Sequence, residues 1–374
     1  MGRFLTILVA AGALAACATP VPTPASEGAR VDAPAAETLD PQPRVAPVPQ
    51  PPERPAAPAP VVDPDIPQPQ REAAFVAYAA ATWGVSPDAV RAALAQAKYQ
   101  QSIVDAMNRP AEKVKSWAEY RPIFLTDRRI AGGVAFLAQH RDELARVSDA
   151  TGVPPEYIVA IIGVETSYGA ITGKYRVLDA LYTLAFSYPK RAPFFAAELA
   201  HLFALGQEEG VDVSTLRGSY AGAMGWGQFM PSSWRHWGRD GDGDGRRDLL
   251  GKPEDVFASI ANYFVAHGWE RGGPVVARAD LAPGVEEFRP ERSPEPVYAV
   301  EDLIARGYAP RAGERVPGPG HGATVFAFDG AEGREHWLGF RNFYVITRYN
   351  HSPMYAMAVH QLAQAIRAGS DAAP

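Results

Sequence analysis

Apolar residues recur at helical spacing along most of the chain beyond residue 71. Val134, Leu137, Leu144 and Val147 are three or seven positions apart, which predicts one helical stretch over 128–151. Other helix starts are marked by proline, which fits the first helical turn because it needs no amide donor there. Two such starts lie at Ser86-Pro87-Asp88 and Val153-Pro154-Pro155-Glu156. Further helices are predicted over 179–187, 194–209, 254–267 and 352–368.

Region 272–340 has a different pattern. It is rich in glycine and proline, and it contains short runs of β-branched and aromatic residues at 274–277 and 323–328. We therefore predict a mainly α (α+β) fold. A helical domain is built from 71–271 and 341–374, with a small β-rich subdomain over 272–340.

The first residues read as a targeting segment. Residues 1–16 carry a positive Arg3 and then a short apolar stretch, too short to span a bilayer stably. The only cysteine, Cys17, follows two alanines, which resembles a bacterial lipobox in which that cysteine is lipidated. An ordinary cleaved signal with an incidental cysteine is the alternative. In proteins with a lipobox, an aspartate after the lipidated cysteine usually retains the protein in the inner membrane. Ala18 stands at that position here, so the resemblance implies a periplasmic, lipid-anchored protein on the inner leaflet of the outer membrane.

The segment after Cys17 has the composition of a linker. Residues 19–70 consist largely of Pro, Ala, Val and Gln, and no aromatic residue occurs between Phe4 and Phe75. We predict that 17–70 is an unfolded tether. At ~3.1 Å per residue in polyproline geometry, about fifty residues reach of order 100 Å.

The overall composition excludes several classes of protein. Lys plus Arg number 36 and Asp plus Glu number 42, giving a net charge of −6, so the basic surface typical of a nucleic-acid binder is not indicated. A single cysteine excludes an internal disulfide framework and a cysteine-rich zinc site. Hydrophobic residues make up 47 %, enough for a substantial core, and we expect a monomer.

One glutamate lies within an apolar helical pattern. On a helix, Ile158, Ile161 and Ile162 share a face, and Glu165 falls on the same face. Burial of an ionised carboxylate costs several kcal/mol, so such a group is either paired or has a raised pKa. A raised pKa suits a general acid near neutral pH. Gly169, also on this face, leaves room for another group to approach.

Two interpretations of Glu165 remain open at this point. It is either a general acid or a buried structural carboxylate paired with Arg176 or Arg191. The stretch Gly218–Trp234 mixes glycines, aromatics, hydroxyls and one amide, a composition that suits a wall for a sugar polymer. A glycine-rich turn beside a helix start is the alternative.

These motifs together resemble the lytic murein transglycosylase B family. The resemblance is carried first by Gly163-Val164-Glu165-Thr166-Ser167-Tyr168-Gly169 and by the glycine-rich stretch. It extends, in the same order, over most of 71–368. The other matching segments are 109–112, 117–120, 179–186, 188–189, 261–264 and 342–350.

The resemblance implies a lysozyme-like helical catalytic domain that cleaves the β-1,4 bond between N-acetylmuramic acid and N-acetylglucosamine in peptidoglycan. Glu165 matches the single acid/base, and the product carries a 1,6-anhydro end. No cofactor is required, and peptidoglycan strands are the expected partner. The residues that match the family's substrate-binding positions are Tyr120, Ser219, Met224, Gln228, Phe229, Tyr263, Tyr349, Asn350 and Tyr355.

Two other functions stay open on the sequence. A hydrolytic muramidase would pair Glu165 with a second carboxylate such as Asp179 or Glu198. A non-catalytic, wall-binding lipoprotein would use the same surface without turnover.

An acidic loop resembles the start of an EF-hand. Asp240, Asp242, Asp244 and Asp248 occupy loop positions one, three, five and nine, but Gly251 stands where the usual bidentate glutamate would be. We expect a structural Ca²⁺ site or, alternatively, a solvated turn with Arg–Asp pairs.

Overall fold

The protein is described by a computed structural model that covers residues 40–50, 56–108 and 115–372. The predicted signal segment and Cys17 lie outside the described residues. Helices dominate the described residues. A five-stranded sheet and a two-stranded pair, β1 (Tyr175–Arg176) with β2 (Arg217–Gly218), are added to them, so the predicted mainly α fold class is confirmed. None of the helices described is long and apolar enough to cross a membrane.

The helices before the sheet follow one another with short connections. Local sequence explains several starts: Ser86 Oγ accepts the Ala89 amide, and Ser116 and Glu119 form a capping box. The helices are α1 (Ala59–Val62), α2 (Gln68–Trp83), α3 (Pro87–Leu94), α4 (Gln101–Met107), α5 (Trp117–Phe124), α6 (Asp127–Gln139), α7 (Arg141–Thr151), α8 (Pro155–Thr166), α9 (Val177–Ser187), α10 (Ala192–Glu209), α11 (Pro231–Trp237) and α12 (Pro253–Ala266).

The predicted helix over 128–151 is wrong as a single element. The chain forms α6 and α7, separated at His140, whose backbone leaves helical geometry at φ −113° and ψ 28°. The His140 ring packs on Phe136 with centroids 4.7 Å apart, which holds the break in place. Both helices keep their apolar faces inward, so the spacing of the hydrophobic residues does not reveal the break.

Helix α8 lies at the centre of the helical domain. It packs against α6, α7, α12 and the C-terminal helix α15 (Pro353–Asp371). Most of its side chains are buried on every side, whereas Val164 and Glu165 in the last turn are half-buried. This helix is therefore apolar all round, as expected of a core helix.

The β-rich region forms a five-stranded antiparallel sheet among the described residues. Its spatial order is β4-β6-β7-β3-β5, so a central hairpin is flanked by strands from earlier in the chain. The elements are β3 (Val276–Leu281), β4 (Tyr298–Ala299), α13 (Val300–Ala305), β5 (Tyr308–Pro310), β6 (Gly322–Gly330) and β7 (Gly333–Gly339), followed by α14 (Arg341–Tyr349).

Strand β6 attaches the sheet to the helices through its alternating faces. Val325 lies in a core formed within the β-rich region. On the opposite face, Phe326 stacks on Phe343 with centroids 4.5 Å apart, and Phe328 stacks on Trp117 at 5.2 Å. Period-two alternation thus gives both faces of the sheet a packed surface.

Part of the predicted unfolded tether is folded against the domain. The Arg44 and Val45 amides both donate to the Val297 carbonyl at 2.9 Å, and the Arg44 guanidinium binds Asp302 and Glu301. Val48 is buried. The prediction of an unfolded tether is therefore wrong for residues 40–50, which we call the strap.

The folded part also begins before residue 71. Val61 in α1 is fully buried, and the Ala57 amide donates to the Pro193 carbonyl at 3.2 Å. Arg71 lies inside α2, where its guanidinium donates to the Phe186 carbonyl at 3.1 Å. A segment without aromatic residues cannot form its own core, but it can dock on an existing one.

Candidate active site

Glu165 lies at the end of the core helix and is held by a buried phenol. Tyr355 Oη donates to Glu165 Oε1 at 2.5 Å. The position of Tyr355 is set by Ser352, whose Oγ accepts the Tyr355 amide at 3.3 Å and so starts α15 there. Burial and the nearby Glu165 charge raise the pKa of Tyr355 well above its ordinary value. Tyr355 therefore keeps its proton and remains a donor to the carboxyl group.

A second tyrosine, the half-buried Tyr349, lies close to the same carboxyl group. Tyr349 Oη donates to the Gly227 carbonyl at 2.6 Å. Burial, and after it the Glu165 charge, raises the pKa of Tyr349 well above its ordinary value. Its ring meets Phe229 and Tyr263 edge-on, with centroids 5.9 and 4.9 Å away. The end of α14 is thereby attached to the glycine-rich stretch beside Glu165.

The alternative partners of Glu165 are engaged elsewhere. Arg176 pairs with Asp179. Arg191 lies over the rings of Phe194 and Phe195, with its guanidinium carbon 4.5 and 5.0 Å from their centroids. Neither arginine forms an ion pair with Glu165, so the interpretation of Glu165 as their structural counter-ion is wrong.

The chain leaves α8 through three consecutive left-handed residues. Ser167, Tyr168 and Gly169 have φ values of 50°, 64° and 82°. Such conformations cost of order 1–3 kcal/mol at a non-glycine residue, so surrounding contacts must hold them. Arg129 supplies two: its guanidinium donates to Ser167 Oγ at 3.2 Å, and its carbonyl accepts from Tyr168 Oη at 2.6 Å.

The space beside Gly169, which was expected to be open, is filled by the indole ring of Trp226. A Cβ at Gly169 would lie 2.8 Å from Trp226 Nε1. Thr166 Oγ1 lies 2.9 Å from the Trp226 carbonyl and accepts the Gly169 amide at 3.0 Å. Gly169 therefore lets the glycine-rich stretch pack directly on the end of the core helix.

Residues Gly218–Phe229, which we call the glycine-rich loop, form a compact turn. The Met224 and Phe229 backbones exchange two hydrogen bonds of 2.9 Å. Ser219 Oγ accepts the Ala223 amide at 3.0 Å. Gln228, itself left-handed at φ 51°, donates its side-chain amide to the Thr172 carbonyl at 3.1 Å. The turn is fixed by its own polar groups.

The predicted substrate-binding residues divide into two groups. Met224, Phe229 and Tyr120 are buried, at 0 %, 4 % and 3 % exposure, and their role in substrate binding stays a prediction. Their side chains pack in the core because the paired backbone of the loop, and helix α5 for Tyr120, turn them inward. The second group of predicted substrate-binding residues is half-buried and consists of Ser219, Gln228, Tyr349 and Asn350.

Tyr263 and Tyr355 each have a hydrogen-bond partner within the protein, and their contact with substrate stays a prediction. Tyr263 Oη donates to the Arg348 carbonyl at 2.6 Å, and its ring stacks on His267 at 4.0 Å. Tyr355 holds Glu165. Asn350 follows the last residue of α14, and its carbonyl accepts the Ser352 amide at 2.7 Å.

Sequence reasoning missed the residues that fix the end of α8. Arg129, Thr166, Tyr168 and Trp226 form that support, although three of the four stand inside the quoted motifs. The residue that could have indicated this packing is Gly163. A Cβ at this position would lie 2.7 Å from the Tyr168 ring, so glycine leaves room for the ring.

The acidic loop brings three of its four predicted ligands together. Ligand atoms of Asp240, Asp242 and Asp244 all lie within 4.8 Å of one another. Lys252, however, pairs with both Asp242 and Asp244. Hydrogen bonding to Lys252 is the main cause of the lowered pKa values of these two aspartates. Three carboxylates fit part of a Ca²⁺ shell of six to eight oxygens, and the ammonium competes for them.

The fourth predicted ligand does not join this group. Asp248 Oδ1 accepts the Leu250 amide at 2.9 Å, and its own amide donates to Asp255. Asp255 is fully buried and also accepts the Gly241 amide at 2.7 Å. Asp248 thus caps a turn, and the prediction that it is a metal ligand is wrong for this conformation.

Comparisons with known proteins agree with the geometry of the site. Residues 68–364 match the family model described as the transglycosylase SLT domain. The chain is 43 % identical over 284 residues to membrane-bound lytic murein transglycosylase B of Escherichia coli (strain K12), covering 73 % of this chain and 76 % of the relative.

Solved structures give the same result. Soluble lytic transglycosylase SltB1 from Pseudomonas aeruginosa is 46 % identical with a TM-score of 0.75, covering 81 % of this chain and 100 % of that one. Escherichia coli Slt35, in complex with bulgecin A, is 39 % identical with a TM-score of 0.72, covering 80 % and 94 %. The chain therefore belongs to the lytic transglycosylase family that carries the SLT domain.

Proposed function

We propose that this protein is a peptidoglycan lytic transglycosylase in which Glu165 is the only acid/base. It cleaves the β-1,4 bond between N-acetylmuramic acid and N-acetylglucosamine and leaves 1,6-anhydro ends. The observation that carries this proposal is the carboxyl group of Glu165 at the end of a buried helix, bound by the protonated phenol of Tyr355. No cofactor is needed for this chemistry.

The reaction uses the carboxyl group twice. Glu165, protonated, donates its proton to the glycosidic oxygen as the bond to the muramyl C1 breaks. The resulting carboxylate then takes the proton of the muramyl C6 hydroxyl, whose oxygen bonds to C1. The proton returns to Glu165, and no water is consumed. Tyr355 keeps the carboxyl group oriented through both steps.

The contacts of the two candidate second carboxylates argue against hydrolysis by a carboxylate pair. Asp179 pairs with Arg176 and accepts the Lys98 amide at 2.9 Å. Glu198 is buried, and Ser232 donates to it from its amide at 2.9 Å and from its hydroxyl. Both carboxylates have structural partners, which supports a mechanism with one carboxyl group.

Replacement of the acid/base tests the proposal. Purified sacculi are digested with wild type and with Glu165→Gln, and the released muropeptides are analysed by mass spectrometry. We expect wild type to release products lighter by one water than hydrolysis products. The variant should release them at least about 10²–10⁴-fold more slowly, because an amide cannot transfer the proton.

Glu156→Gln is the matched control. Glu156 is a second buried carboxyl group on α8, and it lies in the first turn, at the other end of the helix. This variant should keep its activity. Products that have gained water would favour the muramidase, and binding without turnover by wild type would favour the non-catalytic lipoprotein.

Sugar recognition is proposed for the half-buried polar residues of the glycine-rich loop and of the segment after α14. Ser219, Gln228 and Asn350 offer hydroxyl and amide groups that suit sugar oxygens. Met224, Phe229 and Tyr263 would act beneath this surface, by keeping the glycine-rich loop and α14 in place.

We also propose that Cys17 is lipidated and that the enzyme faces the periplasm from the inner leaflet of the outer membrane. The support is the sequence before and after Cys17, together with the description of the Escherichia coli relative as membrane-bound. Labelled palmitate should enter the wild-type chain and not Cys17→Ser. Labelling of both would contradict the proposal.

A further inference from the structure

Half of the residues that line a cavity of about 520 Å³ next to the glycine-rich loop are cationic. Four of them, Lys98, Lys174, Arg176 and Arg217, share it with one carboxylate, Asp179. The chain as a whole has a net charge of −6, so this local concentration of positive charge runs against the composition. A concave, positively charged surface of this size suits an anionic ligand.

The floor of the cavity is built from buried, paired groups. Asp179 is 4 % exposed and accepts the Lys98 amide at 2.9 Å and the Gln100 side-chain amide at 3.1 Å. Arg176 pairs with Asp179 and also donates to the Gln96 carbonyl. The floor is therefore fixed, and the charge of Arg176 is balanced within the protein.

The remaining three cations have no ion-pair partner in the part of the chain that the structure describes. Lys98, Lys174 and Arg217 are exposed, and no carboxylate of the described residues forms an ion pair with any of them. Arg217 donates to the Lys174 carbonyl at 3.3 Å, and the Lys174 ammonium lies 5.8 Å from the centroid of the Tyr175 ring. Their charges are available to a ligand.

The cavity is joined to the candidate active site by backbone. Its two strands β1 (Tyr175–Arg176) and β2 (Arg217–Gly218) pair, and β2 leads directly into the glycine-rich loop. On the other side, the Ile171 amide donates to the Thr166 carbonyl at 2.9 Å. Only three residues, a reach of about 11 Å, then lead to Lys174. A ligand in the cavity would lie beside a glycan at Glu165.

We propose that this cavity binds the free carboxylates of the stem peptide that branches from the muramyl residue. The inference rests on the proposed function. Because the stem peptide leaves the glycan sideways, a pocket for it must lie beside the sugar-binding surface and not within it. The concave shape, with the half-buried Tyr175 ring in the wall, favours a peptide over the flat surface of a lipid bilayer.

The test compares two substrates that differ only in the stem peptide. Full-length chain in detergent acts on peptidoglycan strands, either intact or stripped of their peptides by an amidase. For Lys174→Gln/Arg217→Gln, we expect kcat/KM on intact strands to fall about five- to tenfold, mainly through KM. On stripped strands the variant should equal wild type. Added salt should reduce the difference on intact strands, since exposed charges are screened.

The matched control is Arg141→Gln/Arg146→Gln, which removes two exposed arginines of α7. It should act as wild type on both substrates. Equal loss of the cation variant on both substrates, or loss on neither, would overturn the proposal. The proposal would also be overturned if the cation variant bound anionic phospholipid vesicles more weakly than wild type while its turnover was unchanged. That result would identify the cavity as part of a membrane-binding surface.

A binding measurement separates this proposal from the proposed function. In the Glu165→Gln background, co-sedimentation with intact strands should weaken when Lys174 and Arg217 are replaced, and co-sedimentation with stripped strands should not. If wild type releases no anhydro product from either substrate, the proposed function fails. The co-sedimentation result then still decides whether the cavity binds stem peptides.

Discussion

At the scale of single residues, the site depends on one carboxyl group and one phenol. The two are 190 positions apart, yet Tyr355 Oη and Glu165 Oε1 form a 2.5 Å hydrogen bond. Charge-assisted bonds of this kind are stronger than neutral ones, and burial of Tyr355 excludes competing water. In the proposed mechanism, the phenol therefore fixes the orientation of Glu165, as a second carboxylate or a histidine does in other acid/base sites.

Tyr355→Phe isolates this bond. The ring and its packing remain, and only the donor to Glu165 is lost. We expect kcat to fall about 10–100-fold with little change in KM, which corresponds to a charge-assisted hydrogen bond of about 1.5–3 kcal/mol. Steady-state turnover of soluble glycan strands measures both constants.

Tyr157→Phe serves as the comparison for Tyr355→Phe. Tyr157 is also buried, and it lies on α8 with its hydroxyl 2.7 Å from His360 Nδ1, away from Glu165. It should keep the wild-type kcat. An unchanged kcat in Tyr355→Phe would show that the phenol does not position the acid/base.

The sequence identifies Glu165 as a candidate acid/base, whereas it does not show that Tyr355 is the hydrogen-bond partner of Glu165. A carboxylate among Ile158, Ile161 and Ile162 stands out because its cost of burial is large. Tyr355 was recognised only by resemblance and was expected to contact sugar. A tyrosine is ordinary in a core, and its hydrogen bond depends on tertiary packing of α15 on α8, which spacing along the chain does not encode.

At the scale of elements, the core helix α8 is held differently at its two ends. At the C-terminal end, the left-handed turn is fixed by Arg129 and Trp226. At the N-terminal end, Tyr157 contacts His360 of α15 through a 2.7 Å hydrogen bond and a stacked ring 6.0 Å away. Burial lowers the pKa of His360 to about 4.

This histidine makes stability depend on pH. In the unfolded chain its pKa is about 6.5, so below that value the unfolded state takes up a proton that the folded state refuses. The contribution is present in full above about pH 6.5 and is lost as the pH falls towards 4. We expect His360→Gln to remove about 2 kcal/mol of the fall in unfolding free energy between pH 7.5 and 4.5, measured by urea denaturation at both values.

The exposed His321 provides the control for this pH effect. His321→Gln should leave the pH dependence of unfolding as in wild type. If His360→Gln and wild type lose the same free energy between the two pH values, burial of His360 is not the cause.

Elements were predictable where local patterns decide them. Ser86 before Pro87 starts α3, and the runs at 274–277 and 323–328 overlap strands β3 and β6. The break at His140 was not predictable, because both α6 and α7 continue the same apolar spacing. The strap was missed for a related reason: its fold comes from docking, which composition does not reveal.

At the scale of the whole molecule, the strap changes how the domain would be connected to the proposed lipid anchor. It fastens the chain to the β-rich subdomain at Val297 and Asp302 and leaves residues 18–39 between Cys17 and the first docked residues. In extended geometry at ~3.1 Å per residue, those residues span about 70 Å, well short of the reach expected for a tether that ends at residue 70.

Val48→Asp should release the strap. Val48 is 6 % exposed, and a Cβ at Gly268 would lie 2.8 Å from its Cγ1, so a carboxylate there would lose this apolar contact and its hydration. Trypsin reports the release, because the bond after Arg44 is protected while its guanidinium binds Asp302 and Glu301. We expect cleavage after Arg44 to become about tenfold faster, as local opening rises.

The exposed neighbour Ala46 provides the control for faster cleavage of Val48→Asp by trypsin. Ala46→Asp adds the same charge two residues away without burying it, and it should be cut at the wild-type rate. Turnover of soluble strands should be unchanged in Val48→Asp, because the strap packs on Val297, Asp302 and Gly268 and not at Glu165. Digestion of intact sacculi from the membrane should extend further from the proposed anchor. Equal cleavage rates in all three chains would mean that residues 40–50 are not docked in solution. The tether would then have the longer reach expected if it ends at residue 70.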